Sequence, residues 1–459
     1  MVVSIQFLGA ARQVTGSRHL LRVGDKRILL DCGLVQGPRR KATRANQDLG
    51  LTAHEVDAVV LSHAHIDHSG ALPRLVKLGF HGRIHCTEPT ADLLPVMLRD
   101  SAHLQANDAR YLKRKGIDWE PPYDQEDVEK TTRQIKAHRY HQRFEVVPGV
   151  TCELLNAGHI FGSAMVVLTI DDEGREVRVG FTGDLGRSGL QILQDPDPMP
   201  PVDVLLTEAT YGDRIHDAVG DIENQLADIV NEEMADHGRI VVPSFAVGRT
   251  QGFLVMLNRL MYTGRIPSQW IWADSPMAAE ATKITRRYPE LWDEQTRALL
   301  EGGQDPFFFE GMRAVGSPEE SRALNNVREG IIIASSGMCE GGRVLHHLRH
   351  SIHRPEDCVL IVGFMAKGTL GRKLLDGYPK VPILGVRHEV RCRVRFLPGL
   401  SAHADRNELL AFLRHLKDHT RRVFVVHAEE DPAQHFAGAL RDEGFALVTV
   451  PVEGEEVRI

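Results

Sequence analysis

Short apolar runs alternate with turns and longer amphipathic stretches over about the first two hundred residues. The runs have the length of buried strands, and the first three end at Asp31-Cys32-Gly33. The predicted strands are Ser4–Leu8, His19–Val23, Arg27–Leu30, Asp57–Leu61, Thr151–Leu155, Ala164–Ile170, Val177–Phe181 and Val202–Leu206. The predicted helices are Ala71–Leu78, Leu93–Lys115 and Asp127–Ile135. This pattern predicts a layered α/β domain in which helices cover a sheet.

A more regular alternation of strand and helix begins after Glu208. The predicted helices are Ile222–Ala235, Arg249–Met261 and Pro276–Arg287, and the predicted strands are Arg239–Val242, Trp270–Ala273, Ile331–Ala334 and Cys358–Val362. Such alternation predicts a separate parallel, doubly wound sheet. Strands are expected again from Arg393, at Arg422–Val426 and Ala446–Val450.

Length and composition narrow the class of protein. The 459 residues exceed the usual size of one hydrophobic core, so two domains are expected. No apolar window approaches the length of about 20 residues that spans a bilayer, and the N-terminus does not resemble a signal peptide. The six cysteines are scattered without CxxC spacing, which favours reduced thiols in the cytoplasm. The net charge of −7 argues weakly against general nucleic-acid binding but does not describe a local groove.

The stretch His63-Ala64-His65-Ile66-Asp67-His68 carries the strongest chemical signal. It places three imidazoles and a carboxylate directly after a buried strand. An extended or tightly turned backbone would send His63 and His65 one way and Asp67 with His68 another, as two adjacent metal ions require. Nitrogen and carboxylate ligands favour Zn²⁺, with Mn²⁺ or Fe²⁺ as alternatives. Because a dinuclear centre can activate water to hydroxide at neutral pH, the stretch predicts a metallohydrolase.

Two further ligand candidates follow other predicted strands. His159 lies in a glycine-flanked turn, and Asp184 follows the strand Val177–Phe181. A carboxylate with two oxygens can bridge two metal ions, although aspartate at a strand end is also a common turn former. Two other histidine groups are expected to be solvated or RNA-facing rather than metal-binding. They are His346, His347, His350 and His353 in one group and His138 and His141 in the other.

The order Asp31, His63-x-His65-x-Asp67-His68, His159, Asp184 resembles the metallo-β-lactamase superfamily. The later part of the chain resembles its β-CASP branch, whose members are nucleases. The resemblance rests on Thr207-Glu208-Ala209-Thr210-Tyr211-Gly212, Ser401-Ala402-His403-Ala404-Asp405 and Val425-Val426-His427-Ala428-Glu429. It rests also on Pro243–Arg249, Ala334–Met338 and Gly368–Arg372. The resemblance implies an αββα sandwich over residues 1–208 and 391–459, interrupted at 209–390 by a β-CASP domain with a parallel α/β sheet flanked by helices.

Roles for individual residues follow from the resemblance. It implies two Zn²⁺ ions per chain, one held by His63, His65 and His159, the other by Asp67, His68 and His427, with Asp184 bridging both. Asp31 would orient the ligands without binding metal. His403, held by Glu208, would protonate the leaving oxygen, so Glu208, His403 and Asp67 are expected to be catalytic.

The expected activity is zinc-dependent hydrolysis of RNA phosphodiester bonds, in RNA processing or degradation. A histidine at position 427 resembles the RNA-directed members, so single-stranded RNA is the expected substrate. The turn Ser335-Ser336-Gly337 with Arg249 and Arg343 is expected to bind phosphate, although it could be only a tight strand-to-helix turn. A metal-dependent DNA nuclease, a thioester or ester hydrolase and a non-catalytic scaffold are the alternatives. The resemblance is compatible with a homodimer, while endo- or exonucleolytic action and base preference stay open.

Overall fold

The computed structural model describes residues 2–37, 39–172, 174–216, 219–363, 365–366, 368–397 and 399–459. The chain forms two compact units. The first unit comprises Met1–Ser188, Asp195–Ile215 and His403–Ile459, and the second comprises Gly189–Gln194 and His216–Ala402. The predicted domain boundaries at 208/209 and 390/391 stay predictions.

The first unit contains two mixed sheets of seven strands each. In order across the first sheet, the strands are Glu456–Arg458, Val3–Gly9, Arg18–Val23, Lys26–Leu30, Ala58–Val60, Arg83–Thr87 and Ile135–His138. Across the second sheet, they are Val448–Thr449, Arg422–Val426, Val204–Glu208, Arg175–Phe181, Ala164–Asp172, Val150–Asn156 and Phe144–Val147.

Three apolar layers hold the first unit together. The central layer lies between the sheets and joins Ile5, Phe7 and Leu30 to Val166 and Leu206. The outer face of each sheet carries helices. Those of the first sheet are Arg39–Gln47, Ile66–Ser69, Leu72–Lys77, Glu88–Arg114 and Gln125–Thr132, and those of the second are Arg406–Leu413 and Glu430–Asp442. Because both faces of each sheet are covered, inner strands such as Ala58–Val60 and Val204–Glu208 are buried along their whole length. The predicted αββα sandwich is confirmed.

The second unit is built on a parallel sheet of six strands. In order, these are Met312–Ala314, Ile271–Asp274, Gly330–Ala334, Arg239–Pro243, Cys358–Ile361 and Arg393–Phe396. Apolar clusters cover both faces. The helices of this unit are Val219–Met234, Arg249–Tyr262, Pro276–Thr285, Glu294–Glu301, Pro318–Ala323, Val344–Ser351 and Leu370–Leu375. A hairpin of Lys380–Ile383 and Val386–Glu389 completes it. The predicted parallel α/β insertion is confirmed.

Several elements differ from the predictions. The helix expected at Asp127–Ile135 ends at Thr132, and Ile135–His138 is a strand paired with Arg83–Thr87. The helix expected from Leu93 begins at Glu88, because Thr87 caps it and Pro89 is tolerated in its first turn. Arg393–Phe396 pairs with Cys358–Ile361 and therefore belongs to the sheet of the second unit.

Within the described residues, no helix combines the length and apolarity needed to cross a membrane.

Candidate metal centre

Polar side chains gather where neighbouring strands of the first unit end. Asp31 and His63 follow the parallel strands Lys26–Leu30 and Ala58–Val60. In the other sheet, three residues likewise lie at or just beyond the ends of parallel strands: Asp184, Glu208 and His427. Because the carboxyl ends of parallel strands share one edge of a sheet, this topology brings residues from distant parts of the chain together.

The stretch His63–His68 folds as a turn followed by one helical turn. The helix Ile66–Ser69 begins directly after His65, so Asp67 and His68 are helical. The backbone of Asp67 packs against Gly33, where an added Cβ would lie 1.6 Å from the Asp67 carbonyl oxygen. The Cys32 N–H donates to the carbonyl of His68 over 2.7 Å. The segment after Asp31 thereby fixes where the helical turn presents its side chains.

The first ligand group combines His63, His65 and His159 with Asp184. His65 Nδ1 lies 3.0 Å from His63 Nε2 and 3.2 Å from His159 Nε2. His63 Nε2 and His159 Nε2 each lie 3.5 Å from Asp184 Oδ2. Ligands around one tetrahedral zinc with Zn–N distances of about 2.1 Å stand roughly 3.4 Å apart. The four side chains therefore have the spacing of a zinc site.

The second group combines Asp67, His68 and His427. His68 Nε2 lies 3.0 Å from His427 Nε2, and Asp67 Oδ2 lies 3.6 Å from the same His427 atom. Asp184 Oδ1 is 3.2 Å from His68 Nε2 and 3.5 Å from His427 Nδ1. Asp184 thus turns one oxygen toward each group.

The Asp184 carboxylate indicates that the cluster is built for cations. Its Oδ1 atom is buried, yet it accepts no hydrogen bond from the described part of the chain. A buried carboxylate oxygen without a donor costs free energy unless a cation compensates it. The donor set of imidazole and carboxylate fits zinc, so the residues present fit the metal that the sequence implies.

The protonation states of the first group and of Asp184 also suit metal binding. Burial lowers the pKa of His63 and of His159 well below the ordinary value and that of His65 to about 4, so these rings are neutral near pH 7. Burial raises the pKa of Asp184, but the surrounding histidines, His427 and His68 foremost, outweigh it and hold the pKa well below its usual range. Neutral imidazole and ionised carboxylate are the forms that bind metal. At His68, by contrast, burial lowers the pKa, but Asp184 and Asp31 outweigh it and raise the pKa well above its ordinary value, so this ring must release a proton when metal binds.

Asp31 contacts the second group through the ring nitrogen of His68 that faces away from the other ligands. Its Oδ2 lies 2.7 Å from His68 Nδ1, and its carboxylate accepts hydrogen bonds from the Ser62 N–H over 2.8 Å and from the hydroxyls of Ser62 and Ser17. Asp31 is fully buried and has a left-handed backbone with φ 59°. The carboxylate leaves Nε2 as the His68 nitrogen that faces His427 and Asp184.

Replacing Asp31 by alanine is expected to weaken zinc binding about 10- to 100-fold while leaving every ligand in place, because His68 loses the partner that orients its ring. Competition with a chromophoric chelator measures the change. Asp25→Ala is the matched control, since that carboxylate is 85% exposed in the adjacent turn. Equal zinc affinity in the two variants would show that Asp31 does not orient the His68 ring for metal binding.

Glu208 and His403 form a pair beside the two groups. His403 Nδ1 lies 3.1 Å from both Glu208 oxygens, and His403 Nε2 lies 3.9 Å from Asp184 Oδ2. The buried Glu208 also accepts from the N–H of Leu185 over 2.6 Å. Burial lowers the pKa of His403, but Glu208 and Asp184 outweigh it and raise the pKa to about 9. A pKa this high favours the protonated ring, and Nε2 faces Asp184.

The predicted phosphate-binding residues lie in the second unit. Ser335, Ser336 and Gly337 follow the strand Gly330–Ala334, and the Val344 N–H donates to the Ser335 carbonyl over 3.0 Å. The Arg249 guanidinium lies 4.9 Å from the Phe245 ring centre.

Arg343 is anchored within the second unit. It donates from Nη1 to Asp274 Oδ1 over 2.6 Å and from Nη2 to the Gly316 carbonyl over 3.0 Å. These contacts fix the guanidinium beside the strand Ile271–Asp274.

The prediction of solvated histidines is wrong at two positions. His347 is fully buried, with Nε2 2.6 Å from Asp274 Oδ2. His138 is buried and stacks on His85 and Phe144, with ring centres 5.2 and 3.4 Å away. His85 and Asp274 lie on strands that are distant in sequence, so local sequence does not reveal these contacts.

Three residues that hold the ligands were not predicted from the sequence. Ser17 and Ser62 bind the Asp31 carboxylate, and Thr210 Oγ1 lies 3.1 Å from His427 Nδ1. Ser62 directly precedes the histidine stretch, so its position was a usable signal. Ser17 carried none, because its role depends on strand pairing.

Fold and site together define a metal-dependent hydrolase of the metallo-β-lactamase fold class. The metallo-beta-lactamase superfamily profile matches residues 14–244, the Beta-Casp domain profile residues 250–374, and the profile of the Zn-dependent metallo-hydrolase RNA specificity domain residues 387–451. The chain belongs to the β-CASP branch of the metallo-β-lactamase superfamily, as the sequence resemblance predicted.

Curated relatives extend along nearly the whole chain. Ribonuclease TTHA0252 from Thermus thermophilus is 36% identical over 424 residues, which are 92% of each chain. Transcription termination factor FttA from Methanocaldococcus jannaschii is 30% identical over 100% of this chain and 72% of its own length. An RNase J-like protein from the same archaeon is 28% identical over 99% of both chains.

A solved structure shares the fold. The crystal structure of a protein of unknown function from Enterococcus faecalis V583 superposes with a TM-score of 0.57 at 13% identity and covers 100% of both chains. At that identity the likeness shows the fold alone.

Proposed function

We propose that the chain is a zinc-dependent ribonuclease that hydrolyses phosphodiester bonds of single-stranded RNA, in RNA processing or degradation in the cytoplasm. The observation that carries the proposal is the position of Asp184. It lies between two groups of ligands, with the Glu208–His403 pair beside it. A site of this kind suits a reaction in which an oxygen nucleophile enters as another oxygen leaves.

The side chains would have two roles, metal binding and proton transfer. His63, His65 and His159 would hold one zinc ion, Asp67, His68 and His427 a second, and Asp184 would belong to both. Two zinc ions supply Lewis acidity that activates water and neutralises charge on phosphate oxygens. Asp67 thereby contributes to catalysis as a ligand. His403 would give the proton at Nε2 to the leaving oxygen, while Glu208 keeps Nδ1 occupied and the ring in place.

RNA is favoured over DNA by the relatives. The Thermus relative is named a ribonuclease, and the RNA specificity profile spans residues 387–451, which include both His403 and His427. A DNA nuclease or a small-molecule ester or thioester hydrolase on the same fold is the alternative. We also propose a homodimer, on the family resemblance alone. The molar mass from light scattering tests this.

The second unit would contribute a phosphate-binding turn of its own. Ser335, Ser336 and Gly337 form a turn of small residues ahead of the helix Val344–Ser351, so backbone N–H groups can approach an anion closely. Gly337 has no room for a side chain, since a Cβ would lie 2.8 Å from the Phe245 ring. Arg343, fixed by Asp274, and Arg249, beside Phe245, would add positive charge.

Arg249→Met is expected to raise KM for RNA about 10-fold with little change in kcat, because a hydrogen bond to a charged group contributes about 1.5–3 kcal/mol. Steady-state kinetics on one labelled oligonucleotide separates the two constants. Met256→Leu, a buried change in the same helix, is the control. A fall in kcat at constant KM would contradict this prediction, because it would show that Arg249 acts in the transition state and not in binding the substrate.

Cleavage of one RNA with a different label at each end, beside its DNA equivalent and with and without a chelator, tests the proposed function. Zinc-loaded protein is expected to cut RNA in a chelator-sensitive way and to leave DNA largely intact. Internal fragments would indicate endonuclease action, and mononucleotides from one end exonuclease action. Intact RNA together with rapid turnover of S-lactoylglutathione or nitrocefin would overturn the proposal.

A further inference from the structure

The C-terminal half of the helix Glu88–Arg114 lies at the surface of the first unit. Its N-terminal half packs into the unit through four buried side chains, those of Leu93, Leu94, Met97 and Leu98. Among residues 103–117 only Leu112 is buried. Tyr111 is 50% exposed on this segment. Because a helix normally forms by burying an apolar face, an exposed half with a central aromatic ring suggests an interaction surface.

The end of this helix is strongly basic. Arg110, Lys113, Arg114 and Lys115 surround Tyr111, and Asp108 is the one acidic residue between positions 103 and 117. We call Arg110–Lys115 the basic tip. In the described part of the chain, Lys113, Arg114 and Lys115 form no ion pair, and Lys115 Nζ lies 5.9 Å from the Tyr111 ring centre. The tip is therefore positive in a protein whose net charge is −7.

The loop that follows the basic tip contacts a second helix. Trp119 Nε1 donates to Thr43 Oγ1 over 3.1 Å, which joins the loop after the basic tip to the helix Arg39–Gln47. The neighbouring Arg44 is exposed on that helix. An exposed cation thus stands next to the residue through which that helix contacts the loop. Favourable contact with the helix C-terminus explains a basic last turn but not Arg44 or the exposed Tyr111.

The same helix begins against the turn that carries His159. Thr87 Oγ1 and Thr90 Oγ1 donate to the Gly162 carbonyl over 2.6 and 2.8 Å, in the turn that carries His159. Lys113 stands 25 residues beyond Glu88, which corresponds to roughly 38 Å of helix. A stacked strand advances about 3.4 Å per nucleotide, so about eleven nucleotides would cover that distance.

We propose that the basic tip is a distal binding site for single-stranded RNA, which holds the substrate about eleven nucleotides from the bond that is cut. The inference rests on the proposed ribonuclease function. Lysine and arginine would pair with backbone phosphates, and the Tyr111 ring would stack on a base. A protein partner fits less well, because lysine is depleted at the centres of protein interfaces.

The test compares RNA of six and of forty nucleotides. In the variant Lys113→Gln/Arg114→Gln/Lys115→Gln, the ratio of kcat/KM for the long RNA to that for the short RNA is expected to fall about 10-fold. Glutamine keeps the helix propensity and removes the charge. The dependence of log Kd for the long RNA on log salt is expected to become shallower by about 2, since each contact with a single strand contributes about 0.7.

Matched variants give the controls. Arg133→Gln/Lys136→Gln/Lys417→Gln removes three other exposed charges of the first unit and is expected to keep the wild-type ratio. Tyr111→Ala is expected to lower affinity for the long RNA about 5-fold, and Tyr111→Phe to restore it.

An unchanged ratio and salt slope in the tip variant would overturn the inference. A changed oligomeric mass with unchanged RNA kinetics would overturn it too and assign the tip to contact with a second copy. If the wild-type protein cleaves neither RNA, the proposed function itself fails, which the six-nucleotide substrate reveals separately.

Discussion

Replacing Asp184 by alanine is expected to remove both zinc ions and to lower RNA cleavage at least about 10³-fold, equivalent to about 4 kcal/mol of activation free energy. The reason is geometric. Asp184 Oδ2 lies 3.5 Å from His63 and His159, while Oδ1 lies 3.2 Å from His68. Without the carboxylate, each group loses a ligand, and the positive charge of the ions loses its central counter-charge.

Metal content per chain, measured by mass spectrometry after gel filtration, checks this expectation. Asp67→Ala is the matched comparison, because that carboxylate belongs to the second group, with Oδ2 3.6 Å from His427 Nε2. It is expected to retain about one zinc ion, while Asp184→Ala retains far less. If the Asp184→Ala variant retained two zinc ions, Asp184 would not be a ligand shared by the two groups.

His403→Ala is expected to keep both zinc ions and to lower kcat by about 10²- to 10⁴-fold, the usual contribution of a general acid. His403 lies 3.9 Å from Asp184 and is held by Glu208, outside the two ligand groups. The loss should shrink on a nucleotide p-nitrophenyl diester, whose leaving group needs no proton. Glu208→Gln should show a smaller loss with the same substrate dependence.

Zinc content and the ratio of the two substrate rates are the measurements. Loss of zinc in His403→Ala would make His403 a ligand instead of an acid. An equal loss on both substrates would contradict its role as proton donor.

The local part of the site was predictable from sequence. The motif His63-x-His65-x-Asp67-His68 after a buried strand can be recognised in the sequence because its ligands lie within six residues. His159, Asp184 and His427 depended on strand ends and on resemblance, since what brings them together is sheet topology. The structure groups them with the histidine stretch, and their role as ligands stays a proposal.

Contacts between distant segments were not predictable. His347 was expected in solvent because nothing near it in sequence is acidic, yet its partner Asp274 lies 73 residues earlier. Ser17 reaches Asp31 only through strand pairing. Strands such as Arg83–Thr87 were missed because residues with polar side chains interrupt their apolar pattern, and burial there is decided by the neighbouring strands.

Titration of metal-free protein with zinc, with RNA cleavage and bound metal recorded at each addition, tests the central claim most directly. If the two groups share Asp184 in one dinuclear centre, cleavage should be slight at one equivalent and reach its maximum as the second ion binds. Full activity at one equivalent, or no activity with two ions bound, would contradict the account.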